Sequence, residues 1–134
     1  MSQLMTTFAD VSEAVRNTIA AYTQALDDGR VDDVVATFWP DATINLQGMG
    51  EHSGTDALHA AYTKWKPRGP QRHLVLNTHI TDWDEREATA TSDVVFLFRG
   101  EAGWAVHMVG RYTDVLQQRD GAWRFSHRAA EFVS

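Results

Sequence analysis

The segment 72–83, which reads RHLVLNTHITDW, decides the class of fold. Polar and apolar side chains alternate along it, and this alternation is typical of a β-strand that presents one face to each side of a sheet. We therefore predict a strand here, with a mainly polar face and a mainly apolar face. The first face holds His73, Val75, Asn77, His79 and Thr81, and the second holds Leu74, Leu76, Thr78 and Ile80.

Three further strands are predicted after this segment, at about 88–98, 104–118 and 123–132. Short turns join them, and one turn contains Asp120-Gly121, a dipeptide typical of hairpins. Long consecutive strands with short connections pair antiparallel. A glycine inside the third strand, Gly110, predicts a bulge or bend where the sheet curls and leaves a concave face.

The first third of the chain predicts helices. Apolar residues recur at steps of three and four between Val11 and Leu26, behind Asp10 as a candidate N-cap, and Gly29 can end this helix in a left-handed conformation. The first helix is therefore expected over about 11–28.

Two shorter helices are predicted after it. One begins at Val31 and closes at Trp39-Pro40, and the other covers about 56–65, with a short strand at 43–46 between them. Together these elements predict the α+β class: a curved, mainly antiparallel sheet packed against three helices from the N-terminal half.

Composition limits the classes of function. The 134 residues fit one domain, expected over 1–134, and 43% hydrophobic with 22% charged residues is typical of a globular protein. The net charge of −6 opposes binding to nucleic acid. No apolar stretch is long enough for a membrane span or a secretion signal, so we expect no membrane partner and a cytoplasmic location.

Asp27 and His73 are the candidates for chemistry. A carboxylate at the end of the first helix meets the negative end of the helix dipole, so some contact should offset that cost. Asp27 is one step from the apolar row and can face inward beside Tyr22. A carboxylate next to an imidazole fixes its tautomer and raises its basicity. Solvent exposure of both side chains is the alternative, since nothing local forces them together.

Four segments, in this order and at these separations, resemble the SnoaL-like branch of the nuclear transport factor 2 (NTF2) superfamily: YTQALDDG at 22–29, RHLVLN at 72–77, GRYTD at 110–114 and DGAWRF at 120–125. The chain is most similar to the group that holds scytalone dehydratase, bile-acid 7α-dehydratase and hexachlorocyclohexane dehydrochlorinase. This resemblance implies a cone with a deep pocket, and it implies Asp27 and His73 as the catalytic dyad.

The resemblance also implies substrate-binding roles for Tyr22 and Arg128, which stand at places that match the bile-acid enzyme. Two further candidates are Asn77, on the predicted face of His73, and His107, the nearest candidate for a second pocket histidine. The alternatives are a core role for Tyr22, a surface charge for Arg128 and a solvent-facing His107. The role of His79 stays open.

A metal site is not predicted. His73 and His79 on one extended strand would stand roughly 20 Å apart at about 3.3 Å per residue, and the sequence contains no HExxH motif. No nucleotide-binding glycine motif is present either, so no cofactor is expected.

The hypothesis for function is a cofactor-independent, dehydratase-like lyase or isomerase that acts on a small hydrophobic, cyclic or polyketide-like molecule. The alternatives are a non-catalytic ligand-binding protein, a module like the β subunit of ring-hydroxylating dioxygenases, and a polyketide cyclase or epoxide hydrolase. We also expect a homo-oligomer, a trimer or a dimer, because the apolar face with Leu74, Leu76 and Ile80 needs cover.

Overall fold

Three helices and six strands make up the computed structural model, which describes residues 5–133. The helices are α1 (Phe8–Asp28), α2 (Val31–Val35) and α3 (Thr55–Lys64). The strands are β1 (Phe38–Leu46), β2 (Gly50–Ser53), β3 (Gln71–Trp83), β4 (Glu87–Gly100), β5 (Gly103–Arg119) and β6 (Ala122–Phe132).

The strands form one curved sheet in the order β2-β1-β6-β5-β4-β3. The β1–β6 pair is parallel, and all the other neighbours are antiparallel. Helix α1 packs against β3 and β6. The core lies between that helix and the concave face of the sheet, and it includes Val15, Ile19, Leu116 and Phe125. The predicted α+β class, with a mainly antiparallel sheet and three N-terminal-half helices, is confirmed.

Helix α1 begins three residues before the predicted start. Its N-cap is Thr7, whose hydroxyl accepts a hydrogen bond from the backbone N–H of Asp10 at 3.2 Å, and the Asp10 carboxylate accepts one from the Thr7 N–H at 2.9 Å. Asp10 is therefore the acidic partner in a capping box, and the prediction that it is the cap is wrong. The predicted C-terminal cap is confirmed, because Gly29 has φ 73°.

The first strand was predicted too short and the second was not predicted. Phe38, assigned to the second helix in the sequence, is in β1, where it is buried and pairs with Phe125. The parallel register with β6 is interrupted between Phe38 and Thr43, around Pro40, which lacks the N–H that a ladder needs. The segment after Leu46, which contains Gly48 and Gly50, forms the turn of the β1–β2 hairpin.

A bulge in β3 changes which residues face inward. The register with β4 shifts between Leu76 and His79, and Asn77 has φ 55°, a left-handed conformation that asparagine tolerates better than most residues. Beyond this point the inward positions are Thr78 and Ile80, and Ile80 is 8% exposed. The predicted uninterrupted alternation over 72–83 is therefore wrong in its second half.

A second bulge lies in β5, at His107 rather than at Gly110. Phe96 of β4 pairs with Met108 and Leu97 pairs with Val106, which leaves His107 as the extra residue. Gly110 pairs regularly with Val94, and a Cβ there would lie 2.7 Å from the carbonyl oxygen of Glu131. That glycine therefore allows close approach of β6 and does not mark the bulge.

Candidate functional site

A cavity of about 550 Å³ opens at the concave face of the sheet. Its deepest residues are tyrosines with almost no exposure, namely Tyr22 (2%), Tyr62 (2%) and Tyr112 (5%). Its mouth is formed by exposed residues. The whole lining consists of Tyr22, Leu26, Leu46, Gln47, Met49, Tyr62, Lys64, Trp65, Lys66, Arg68, Gln71, His73, Phe96, Phe98, His107, Met108, Tyr112, Ala130 and Phe132.

Asp27 and His73, 46 positions apart in the chain, are in contact beside this cavity. Nδ1 of His73 lies 2.6 Å from Oδ1 of Asp27. Oδ1 also accepts a bond from the side-chain amide of Gln71 at 3.1 Å, and Oδ2 accepts the backbone N–H of His73 at 2.7 Å. The carboxylate thus meets three donors, so Nδ1 carries the proton in the neutral imidazole.

Local structure explains why these residues meet. Asp27 is in the last turn of α1, just before the Gly29 cap, where a carboxylate is unfavourable unless other groups donate to it. Strand β3 is at the edge of the sheet, so the N–H of His73 has no strand partner on that side and donates to Asp27 instead. The three hydrogen bonds supply the contact that the sequence argument required.

The imidazole of His73 is fixed in orientation and still reaches the cavity. Its ring stacks on Phe96, with centroids 4.5 Å apart and an interplanar angle of 22°. The His73 side chain is 12% exposed and lines the cavity, whereas the Asp27 side chain is 4% exposed and lies behind it. Within residues 5–133 no group bonds to Nε2, the second ring nitrogen. The arrangement can therefore accept a proton at Nε2 from a bound molecule.

Two tyrosine hydroxyls meet at the floor of the cavity. The hydroxyl of Tyr22 lies 2.7 Å from that of Tyr62, and the two rings are nearly perpendicular. Burial raises the pKa of Tyr62 well above its ordinary value, with the charge of a Tyr22 phenolate as the next cause, and burial likewise raises the pKa of Tyr22. Both hydroxyls therefore stay protonated near neutral pH, and because one donates to the other, the second keeps its proton to donate to an oxygen of a ligand.

Tyr62 is a site residue that the sequence reasoning missed. Its helical spacing with Leu58, Ala61 and Trp65 indicates only a buried helix face, and that indication is correct as far as it goes. A hydroxyl in an otherwise apolar row is the signal that was available. Tyr22, in contrast, lines the cavity as predicted, and the structure also gives it a core position.

Arg128 does not line the cavity, although a substrate contact was predicted for it. Its guanidinium is fully buried and makes two hydrogen bonds to Asp114, at 2.8 and 3.1 Å. It also lies over the rings of Tyr112 and Tyr22, at 3.6 and 4.3 Å from their centroids. The structure contradicts both the predicted substrate contact and the alternative of a surface charge.

Asn77 is on the outer side of the sheet, because of the β3 bulge. Its amide donates to Asp93 at 2.9 Å, and the residue is absent from the cavity lining. The predicted contact of Asn77 with a substrate is therefore wrong. His79 follows the bulge and is also exposed.

His107 lies at the mouth of the cavity, and its contact with a substrate stays a prediction. It is an exposed residue, and its ring meets the edge of Phe96 at 5.5 Å between centroids. The same phenylalanine therefore contacts both histidines of the cavity, which allows His107 to touch a ligand near His73.

Among residues 5–133, no group of three histidine, cysteine, aspartate or glutamate side chains is close enough to hold a metal ion. No helix in that range combines the length and the apolar character needed to cross a bilayer. The cytoplasmic location stays a prediction.

The sequence belongs to the SnoaL-like domain family, because the model of that family matches residues 8–129. The chain is thus a member of the NTF2-like superfamily, as the resemblance implied. No curated protein sequence gives a significant match.

Solved structures with the same fold include one from Novosphingobium aromaticivorans described as a "Putative Scytalone Dehydratase". It is 22% identical, with a TM-score of 0.80, and the match covers 92% of this chain and 84% of that one. A hexachlorocyclohexane dehydrochlorinase of type 2 is 18% identical, with a TM-score of 0.82 and coverage of 94% and 87%. A protein of unknown function from Nostoc punctiforme, with a cystatin-like fold, is 20% identical, with a TM-score of 0.83 and coverage of 97% and 96%. At these identities the likeness concerns the fold.

Proposed function

We propose that this protein is a cofactor-independent lyase or isomerase of the dehydratase type, with Asp27 and His73 as its catalytic dyad. The observation that carries the proposal is the 2.6 Å contact between Nδ1 of His73 and Asp27, at the wall of a largely apolar cavity. One ring nitrogen is occupied by the carboxylate, so the other is the proton acceptor. The substrate is a small hydrophobic molecule, cyclic or polyketide-like, with a carbonyl next to the reacting carbon.

The proposed reaction begins with removal of a proton from the carbon next to the carbonyl. Nε2 of His73 takes the proton, and Asp27 stabilises the imidazolium that forms. The electron pair left on carbon delocalises to the carbonyl oxygen, which accepts a hydrogen bond from the Tyr22–Tyr62 pair: one hydroxyl donates to the other, and the second donates to the oxygen. The enolate then expels a hydroxyl from the β-carbon, and this group leaves as water with the proton from His73. In an isomerisation the same proton returns to a different carbon.

The main alternative is a non-catalytic ligand-binding protein, because the same fold serves both purposes. The geometry favours catalysis over simple binding, since hydrophobic binding does not require an imidazole held by a buried carboxylate on one side and a stacked ring on the other. A cyclase or an epoxide hydrolase would use the same pocket for a different reaction.

Proton abstraction can be tested without knowledge of the leaving group. The protein is incubated in D₂O with a panel of cyclic ketones and β-hydroxyketones, and exchange next to the carbonyl is measured by mass spectrometry. Quenching of the protein's tryptophan fluorescence reports binding of the same compounds, because Trp65 lines the cavity. We expect exchange with the unmodified protein, and a loss of at least about 1,000-fold in His73→Ala and Asp27→Asn.

A matched control is available on the surface. His59 and Asp32 also form a contact of 3.0 Å, but their side chains are 51% and 91% exposed and neither lines the cavity. The His59→Ala variant should therefore catalyse exchange at the rate of the unmodified protein. Compounds that bind without exchange in the unmodified protein would favour the ligand carrier, and full exchange in both dyad variants would remove the dyad.

A homo-oligomer is also proposed. The outer face of the sheet exposes Leu74 (42%), Leu76 (46%) and Val106 (63%), an apolar surface that water covers poorly. Its masking by further copies of the chain would place two or three subunits sheet to sheet. Light scattering should give a multiple of the chain mass of 15.0 kDa, and a monomer at micromolar concentration would contradict this proposal.

A further inference from the structure

Positive charge is concentrated at the mouth of the cavity, in a chain whose net charge is −6. Lys64 and Lys66 are the only lysines in the sequence, and both line the cavity together with Arg68. No aspartate or glutamate is in the lining. A distribution that followed the overall composition would place more acidic than basic groups there.

The loop that carries two of these cations is held in place at both ends. Pro67 packs beside Gly29, where an added Cβ would lie 3.5 Å from the proline ring. A Cβ on Gly69 would lie 3.3 Å from the ring of Phe98, and the carbonyl of Pro70 accepts the N–H of Arg99 at 3.0 Å. Lys66 and Arg68 are therefore presented at the mouth by an anchored backbone.

The three cations have no carboxylate partner within residues 5–133, unlike several of the arginines elsewhere in the chain. Arg30, Arg111, Arg119 and Arg128 each form an ion pair with an aspartate. Lys64 has a structural explanation, since it lies in the last turn of α3 and complements the helix dipole. Lys66 and Arg68 lie beyond that helix, so the dipole does not account for them.

We propose that the natural ligand of this cavity is an amphipathic anion, with an apolar body inside and an anionic group at the mouth against Lys66 and Arg68. The buried floor and the aromatic walls suit the body, while exposed cations at the mouth attract the charge without the cost of burying it. The anionic group is a carboxylate of the substrate itself or the phosphates of a carrier thioester. This inference deepens the proposed function, because it concerns the ligand of the same cavity.

The test compares three ligands that share one apolar body: 2-naphthylacetate, its neutral amide and its coenzyme A thioester. Dissociation constants are measured at low and high salt by quenching of the protein's tryptophan fluorescence, to which Trp65 in the cavity lining contributes. We expect the unmodified protein to bind the acid, the thioester or both about tenfold more tightly than the amide at low salt. In the double variant Lys66→Gln/Arg68→Gln this preference should disappear, with little change in the affinity for the amide.

Arg86→Gln is the control for a general loss of positive charge, because it removes one such charge at the far end of β3, outside the cavity lining, and should keep the preference. Preference for the acid identifies the carboxylate source, and preference for the thioester alone identifies the carrier phosphates. Equal affinities for all three ligands, or a preference that survives in the double variant, would overturn the inference. Binding is measured without turnover, so a failure of the dyad to catalyse exchange would leave this result intact.

Discussion

Within residues 5–133, two contacts between an aspartate and a basic side chain are buried, and their surroundings differ. Asp27 and His73 are 2.6 Å apart at the wall of the cavity, and one nitrogen of the histidine is left without a bond among the described residues. Asp114 and Arg128 form a two-bond pair with no exposure at all, behind the tyrosines of the cavity floor. Distance alone does not separate these pairs, whereas access to the cavity does. We therefore assign chemistry to the first and stability to the second.

The largest effect on stability is expected from removing one partner of the Asp114–Arg128 pair. Arg128→Met leaves the Asp114 carboxylate buried without a partner, which should lower the free energy of unfolding by about 3–5 kcal/mol. Chemical denaturation measures this change. Asp27→Asn, which keeps an acceptor oxygen and loses the negative charge, should cost only about 1 kcal/mol. The comparison fails if the two variants lose similar stability.

A double variant sharpens that result. Asp114→Leu combined with Arg128→Met removes both charges and keeps similar volume, so most of the lost stability should return. The single Arg128→Met protein, measured where it is still folded, should keep its rate of proton exchange within about tenfold. A far larger loss in folded protein would place Arg128 in the chemistry after all.

A smaller effect, on the rate of proton exchange, is expected at the tyrosine hydroxyls, which lie between the two aspartate pairs. Tyr62→Phe removes one hydroxyl of the hydrogen-bonded Tyr22–Tyr62 pair and should lower the rate of proton exchange by about 10- to 100-fold, with little loss of stability. Tyr112→Phe is the comparison variant, because Tyr112 lines the same floor and its hydroxyl bonds to no residue in 5–133. Equal losses in both variants would contradict a specific role for the Tyr22–Tyr62 pair.

The smallest effect is expected on the outer side of the sheet, away from both pairs. Asn77→Ala places a residue without asparagine's tolerance at φ 55° and removes the bond to Asp93, so it should destabilise the fold by about 1 kcal/mol. Asn77→Gly should restore part of that loss. The rate of proton exchange should be unchanged in both variants, and a lower rate would return Asn77 to the site.

The predicted and observed elements show how much of this fold the sequence determines in a readable way. Periodicity located α1, α3 and the four long strands to within a few residues, because their apolar rows are long enough to reveal the repeat. Periodicity failed at the β3 bulge, since one inserted residue reverses the side chains that follow it, up to the second register shift after Ile80, and asparagine at 77 gives little warning. It also failed at Phe38, where a short apolar run fits a helix end as well as a strand.

The site residues also fall into those that the sequence indicated and those that it did not. Asp27 and His73 were brought together by resemblance, since no local pattern links the end of α1 to the start of β3. Arg128 was misjudged because alternation along β6 does not show that Asp114, on the neighbouring strand, is directly opposite it. Cross-strand pairing depends on register, and register is a property of the folded sheet.

The edge position of β3 has one more consequence. An edge strand offers unpaired backbone groups to any other extended chain, which is a common route to aggregation. Here α1 occupies two of those groups, since Asp27 accepts the N–H of His73 and Arg16 donates to the carbonyl of Thr78 at 2.9 Å. The carboxylate that orients the imidazole therefore also blocks strand addition, and its loss would favour self-association of the edge.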